Sequence, residues 1–153
     1  MISMRKPSML LPIALVVGCA VADNGAVELS WAFRPASSAL PDKFVDCNAN
    51  GEPGTHPIDT VALDWAVEGE TGTFEWPCGG FTGATGFVVP VGDATLTVRP
   101  VCAGGIPLDP ASVRAPATIV RGVTKADVVS LGAVQIVVQV SSCLEQPCIC
   151  HDP

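Results

Sequence analysis

Hydrophobic and polar residues alternate along several short stretches of the chain. Residues 27–34 place four large apolar side chains at every second position: Val27, Leu29, Trp31 and Phe33. The residues between them are mostly polar. Because successive side chains of a β-strand point to opposite faces of its sheet, this pattern predicts a strand with one buried face.

Two further stretches repeat the alternation. Residues 59–67 place one set of side chains inward, Val61, Leu63, Trp65 and Val67, and another set outward, Thr60, Ala62 and Asp64. After a turn at 68–72, residues 73–76 continue the pattern, and Cys78 shares the parity of Phe74 and Trp76. Cys78 and all three tryptophans are therefore predicted to face the core.

Additional strands are predicted at 86–91, 94–101, 117–123 and 133–140, and no window of eleven or more residues has a helical stripe. Glycine, proline and aspartate separate these segments, as turns require. The expected fold is all-β, a single antiparallel two-sheet sandwich of about seven strands, prealbumin-like or immunoglobulin-like. A barrel is the structural alternative.

Residues 89–98, with the sequence VPVGDATLTV, carry a family resemblance. The segment resembles the proline–glycine turn and following strand of carboxypeptidase-regulatory-like and prealbumin-like sandwich domains, with Ala94 where an aromatic residue is usual. With the opening strand, Cys47, Val61 and Cys78, the layout over 26–140 is also similar to bacterial lipoproteins that contain such a domain. The resemblance implies a fold and no activity.

The N-terminal segment has the order of a secretory signal. Arg5 and Lys6 precede an apolar run at 9–17, which is too short to span a bilayer. Residues 16–19, Val-Val-Gly-Cys, resemble the bacterial lipobox. That resemblance implies a diacylglyceryl thioether on Cys19, cleavage by signal peptidase II before it, and acylation of the new amino terminus.

Alternatives to this interpretation are an ordinary signal peptide with a chance cysteine, or a short uncleaved anchor. Met4 is an alternative start that leaves the mature chain unchanged. The residue after the cysteine is Ala20 and not Asp. By the same resemblance, Ala20 favours the outer membrane as the final location of the protein. The expected partner is the membrane itself, which the protein contacts through the lipid on Cys19.

Processing changes the composition. The 153-residue chain has a formal charge of −7 and a mean hydropathy of +0.44. Without residues 1–18, six Lys and Arg oppose fifteen Asp and Glu, so the charge is −9. Such a domain repels nucleic acid, and no nucleic-acid partner is expected.

The predicted organisation is a signal peptide (1–18), lipidated Cys19 with a short tether (19–25), and a sandwich (26–153) with a Cys-rich tail (141–153).

The chain has seven cysteines, and an even number remains for disulfides if Cys19 carries lipid. Six then remain: Cys47, Cys78, Cys102, Cys143, Cys148 and Cys150. In an oxidising compartment they predict three disulfides. One is expected between Cys47 and Cys78. Because Cys148 and Cys150 lie near the upper limit of separation for a bridge, they are expected to pair separately with Cys102 and Cys143, in either combination.

Three binding hypotheses follow from side-chain chemistry. The C-terminal thiols, from Cys143 to Cys150, lie beside His151 and form a candidate zinc or copper site. Asp46, Asn48 and Asn50 match half of a calcium loop, although Pro57 replaces its final glutamate. An exposed aromatic platform for sugars is an alternative to core placement of the tryptophans, with Phe81 and Phe87 as further candidates.

Catalytic patterns are weak. His56 and His151 have no organised nucleophile nearby in sequence, and Glu68 and Glu70 flank a turn glycine. The sequence therefore predicts no enzyme and no cofactor. It favours an envelope lipoprotein with a structural or protein-interaction module, whose partner is unknown. The alternative is a carbohydrate- or metal-binding accessory domain on the cell surface.

Overall fold

A computed structural model describes residues 22–35, 47, 56–106, 117–138 and 150. These residues form seven strands: β1 (Ala26–Pro35), β2 (Ile58–Val67), β3 (Glu70–Pro77), β4 (Thr82–Ala84), β5 (Gly92–Cys102), β6 (Ala117–Val123) and β7 (Val128–Val138). Two short 3-10 turns follow β3 and β5. The predicted all-β class is confirmed.

The strands form two sheets. The three-stranded sheet has the order β4-β1-β7, and the four-stranded sheet has the order β3-β2-β5-β6. The predicted two-sheet sandwich is confirmed. The paired strands are antiparallel with one exception. Strands β1 and β7 run parallel, with Ala26 opposite Val128 at their beginnings. Both strands therefore begin at the same end of the domain.

The core contains the residues that the alternation predicts. The four large alternating apolar residues of β1 are buried, and so are Val61, Leu63 and Val67 of β2. Burying one such side chain contributes roughly 1.5–3 kcal/mol to folding. Ala62 was predicted outward but is fully buried. It is on the central part of β2, directly opposite Arg99 of β5 on one side and Glu75 of β3 on the other.

The predicted strand at 86–91 is wrong. These residues form a turn in which Val89 alone pairs, through a bridge with Gly25. Glycines at both limits have positive φ, +69° at Gly86 and +145° at Gly92, and Pro90 lacks an N–H group. The strand in this region is β4, which lies earlier and has only three residues.

The last strand is longer than the alternation predicts. β7 starts at Val128 and not at 133, because a bulge interrupts its pattern. Leu131 and Gly132 together lie opposite Leu29, and Gly132 has φ +66°. Residues 139–140 of the predicted strand lie outside the described residues.

The domain has two distinct ends. The first, called here the N-proximal end, contains residues 22–25, the turn at 85–91 and the turn at 124–127. Backbone hydrogen bonds join these three segments to one another: Gly25 pairs with Val89, and the carbonyl of Asn24 accepts from Ala126 N–H. The other, called here the disulfide end, contains the beginning of β2 and the ends of β3 and β5.

Candidate functional site

Two disulfides lie at the disulfide end. Cys47 is bonded to Cys78 and Cys102 to Cys150, across sequence separations of 31 and 48 residues. The first bridge was predicted. The second resolves the open choice for Cys102 and excludes a bond between neighbouring Cys148 and Cys150. Cys143 and Cys148 themselves lie outside the described residues.

The main chain joins both bridges to one short segment, residues 56–58. The N–H of Ile58 donates to the carbonyl of Cys47 at 2.8 Å, and the N–H of His56 donates to the carbonyl of Cys150 at 2.9 Å. Pro57 accepts from Ala103 N–H at 2.9 Å. Two sequence-distant cysteines are thereby held against the start of β2, next to its partner β5.

The two alternative metal-binding hypotheses receive little support. The sulfur of Cys150 is in a disulfide, so the proposed soft-metal cluster of the tail lacks that thiolate. Its other members, Cys143, Cys148 and His151, lie outside the described residues, as do the calcium candidates Asp46, Asn48 and Asn50. Within the described ranges, no group of three or more His, Cys, Asp or Glu side chains is arranged to hold a metal ion.

The tryptophans are not equally buried. Trp31 is a core residue, and its indole N–H donates to the carbonyl of Cys78 at 3.0 Å. Trp65 and Trp76 are half-buried and pack against the core, so all three tryptophans face the core as predicted. Trp65 lies over Gly72 of the adjacent strand β3, and Trp76 lies over Gly83 of β4 in the other sheet. A β-carbon would come within 2.5 Å of the Trp65 ring at Gly72 or 2.4 Å of the Trp76 ring at Gly83. Only glycine permits this close approach.

A groove of about 500 Å³ runs along β4. The residues that line it come from both sheets: Glu28, Leu29, Ser30, Trp76, Thr82, Gly83, Ala84, Ser130 and Gly132. The bulge in β7 shapes one wall, where the Ser30 hydroxyl donates to the Gly132 carbonyl at 3.3 Å. Sequence reasoning missed this groove, since its glycines are typical of ordinary turns.

A charged network lies on the outer face of the four-stranded sheet. Arg99 donates to both carboxylate oxygens of Asp64, at 2.6 and 3.2 Å, and Thr73 donates to the same carboxylate at 2.7 Å. Burial raises the pKa of Asp64. The hydrogen bonds from Arg99 and Thr73 and the charge of Arg99 outweigh that effect, so the pKa lies below its ordinary value. This network joins β2, β3 and β5.

The two phenylalanines proposed for a sugar platform are exposed but separated. Phe81 precedes β4 beside Cys78 at the disulfide end, whereas Phe87 follows β4 at the N-proximal end. They do not form a common surface, so they do not belong together to the sugar platform that was the alternative to core placement. Phe81 has φ +55°, and its main chain bonds both Cys78 and Trp31.

Cys19, the predicted lipidation site, lies outside the described residues. Among the residues that are described, no helix has the length and apolar character needed to cross a membrane. Comparisons of the chain with protein-family models, with curated proteins and with solved structures find no match.

Proposed function

We propose that the chain is a lipid-anchored protein of the bacterial cell envelope whose sandwich is a non-catalytic structural or protein-interaction module. The observation that carries the proposal is the pair of disulfides, Cys47–Cys78 and Cys102–Cys150. Disulfides persist in oxidising compartments outside the cytoplasm. They support an exported protein, which is what the signal-like segment before Cys19 also requires.

The lipid anchor rests on the resemblance of residues 16–19 to a lipobox. Several acyl chains on one residue exceed the single-chain limit for lasting membrane residence. The acidic charge of the mature chain gives no electrostatic attraction to anionic headgroups. Membrane attachment is therefore assigned to the lipid.

The anchor is tested by expressing the full chain in a bacterial host and measuring the mass of its mature N-terminal peptide. We expect the peptide to begin at Cys19 with a lipid-sized mass increment, and the protein to enter the detergent phase on phase separation. Cys19→Ser is the matched control and should lose both properties. A mature wild-type protein without lipid, recovered in the aqueous phase, would contradict the proposal.

The outer-membrane location rests on Ala20 and has its own test. We expect wild-type protein in the outer-membrane fraction of a density gradient and Ala20→Asp in the inner-membrane fraction. Lipidation should be the same in both. An identical distribution of the two proteins would remove the support for outer-membrane sorting while leaving the anchor intact.

The non-catalytic assignment is supported by the chemistry of the groove along β4. Its described lining contains one carboxylate, Glu28, together with hydroxyls, small residues, Leu29 and Trp76, and lacks histidine, cysteine and lysine. Acyl and glycosyl transfer generally need a paired base or a second carboxylate. A shallow groove of this kind, lined by hydroxyls and apolar groups, fits binding.

Glycan binding is a second candidate function, favoured by one observation. The half-buried ring of Trp76 lies beside the hydroxyls of Ser30, Thr82 and Ser130 in the same groove. Sugars are bound by such combinations of an aromatic surface and polar groups. A glycan array tests it, with Trp76→Ala expected to abolish binding and Trp65→Ala, outside the groove, expected to retain it. No binding by the wild type would exclude this candidate.

A further inference from the structure

The N-proximal end exposes a cluster of apolar side chains. Phe87, Val88, Val91 and Val128 retain 45, 49, 46 and 45% of their surface exposed. They are four of the six large apolar residues exposed in the described part of the chain. The other two, Phe81 and Val120, lie elsewhere. Apolar exposure of this kind, concentrated at one end, marks an interaction surface.

The turn at 85–91 carries three of these side chains, and hydrogen bonds at Thr85 and at Val89 hold it in place. At the beginning of the turn, the Thr85 hydroxyl accepts from Val27 N–H at 3.0 Å and donates to the Gly86 carbonyl at 2.8 Å. Further along the turn, buried Val89 pairs with Gly25. Phe87 and Val88 thus project from a preorganised turn, which lowers the entropic cost of any contact that they make.

The short segment between Cys19 and β1 indicates what the N-proximal end faces. Asp23 pairs with Lys125, and Gly25 is bridged to Val89, so contacts with the domain begin three residues before β1. Cys19 precedes Ala22 by three residues, which span at most about 11 Å. If Cys19 carries the lipid, the bilayer surface lies no further than this from the N-proximal end.

We propose that the turn at 85–91 is a second membrane contact, in which Phe87 and Val88 insert into the lipid interface beside the acylated cysteine. This inference rests on the proposed lipid anchor. The occupant of the apolar cluster is the hydrocarbon boundary of the same bilayer that holds the acyl chains. Apolar side chains of interfacial proteins enter that boundary to a depth of about 5–10 Å.

Charge at this end defines the kind of lipid contact. Acidic residues outnumber basic ones among the residues that define this end, Asp23 and Asp127 against Lys125. Anionic headgroups are therefore not attracted. The contact depends on apolar insertion and should not weaken as salt concentration rises, in contrast to a polybasic contact.

The test uses the full lipidated protein in phosphatidylcholine vesicles and two matched variants, Phe87→Trp and Phe81→Trp. The two native side chains are exposed to nearly the same extent, 45 and 44%, but lie at opposite ends of the domain. Some vesicles contain lipids with bromine atoms near the headgroup end of the acyl chains, which quench nearby indoles. Emission from unsubstituted protein is subtracted as the baseline.

We expect brominated lipid to remove the emission that Phe87→Trp adds, at low and high salt, and to leave that of Phe81→Trp. Equal quenching of the two variants, or none, overturns the inference. If Phe81→Trp does not fold, Val120→Trp on β6 replaces it as the control. Burial of Phe87 by a second copy would appear as a dimer without lipid quenching, which also counts against the membrane contact.

The same samples separate this inference from the proposed function. The mass of the N-terminal peptide reports the lipid on Cys19 independently of any fluorescence. A lipidated protein whose Phe87→Trp emission is not quenched retains the anchor and loses the second contact. A protein without lipid loses both, because only the lipid on Cys19 brings the N-proximal end to the bilayer.

Discussion

Gly25 and Val89 exchange two backbone hydrogen bonds, from Gly25 N–H to the Val89 carbonyl at 2.9 Å and in the reverse direction at 3.1 Å. This bridge attaches the beginning of the domain to the turn between β4 and β5. Gly25 also lies against the turn after β6, since a β-carbon on it would be 2.4 Å from Cγ1 of Val123. One glycine therefore holds together the segments of the N-proximal end.

Gly25→Ala is expected to destabilise the fold. The added methyl would meet the Thr124 carbonyl oxygen at 2.6 Å as well as Val123, and a main-chain atom cannot rotate away. Overpacking of this type costs about 1–3 kcal/mol. Chemical denaturation measures it, with Gly79→Ala as the control, because nothing lies within 4 Å of a β-carbon there. Equal stability of the two variants would show that the N-proximal end is not closely packed.

The disulfides are expected to contribute unequally but substantially. Their loops span 31 and 48 residues, for which chain entropy predicts about 3.7 kcal/mol for Cys47–Cys78 and about 4 kcal/mol for Cys102–Cys150. We expect the paired Cys→Ala variant at 102 and 150 to be the less stable of the two. The free energy of unfolding checks this, and non-reducing peptide mapping of the wild type checks the pairing. Recovery of a Cys47–Cys102 peptide would contradict both.

Strand parity made much of the fold predictable from the sequence. The side chains of β1 alternate without interruption, and every predicted inward residue is buried. The prediction failed where local backbone geometry overrides hydrophobicity. Residues 86–91 are rich in valine, yet the positive φ of Gly86 and Gly92 turns the chain. With only three residues, the strand β4 is too short to show an alternation that can be recognised in the sequence.

The pH dependence of stability should include a contribution from Asp64. Its pKa is lowered in the folded state, so its contribution is present above the unfolded value of about 3.9 and is lost as pH falls through the lower folded value. Both Asp64 and Arg99 remain more than a third exposed, so the pair is worth no more than about 1 kcal/mol.

The measurement is the free energy of unfolding between neutral and acidic pH for wild type and Asp64→Asn. We expect the difference between the two proteins to be largest near neutral pH and to shrink in acid. Arg99→Met should reduce the same difference, because it removes the charge and the hydrogen bonds while keeping a similar chain length. A difference that stays constant with pH would assign Asp64 a packing role only.

The candidate sites were less predictable than the core, for a physical reason. Cysteine counting identified the bridges because a disulfide needs two residues of one type. The apolar cluster at Phe87 and the groove beside Trp76 depend on which side chains the turns leave uncovered. In the groove, Gly83 lies against the Trp76 ring and Gly132 has a positive φ at the bulge of β7, and alternation along a single strand carries no information about either feature.

Trp31→Phe and Trp65→Phe should have different effects on stability although the chemical change is the same. The indole N–H of Trp31 donates to the Cys78 carbonyl at 3.0 Å, whereas that of Trp65 is buried without a hydrogen-bond partner. Removing a satisfied donor in the core loses a hydrogen bond and costs about 0.5–1.5 kcal/mol, and removing an unsatisfied one relieves a desolvation penalty.

Thermal and chemical denaturation of the two variants decide the matter. We expect Trp31→Phe to be clearly destabilised and Trp65→Phe to remain close to wild type, since the relief at the nitrogen offsets the smaller ring. Trp31→Phe should also weaken the hold on Cys78, whose carbonyl keeps only its bond from Phe81 N–H at 3.2 Å. Equal losses in both variants would mean that ring packing, and not the indole hydrogen bond, sets the stability at these positions.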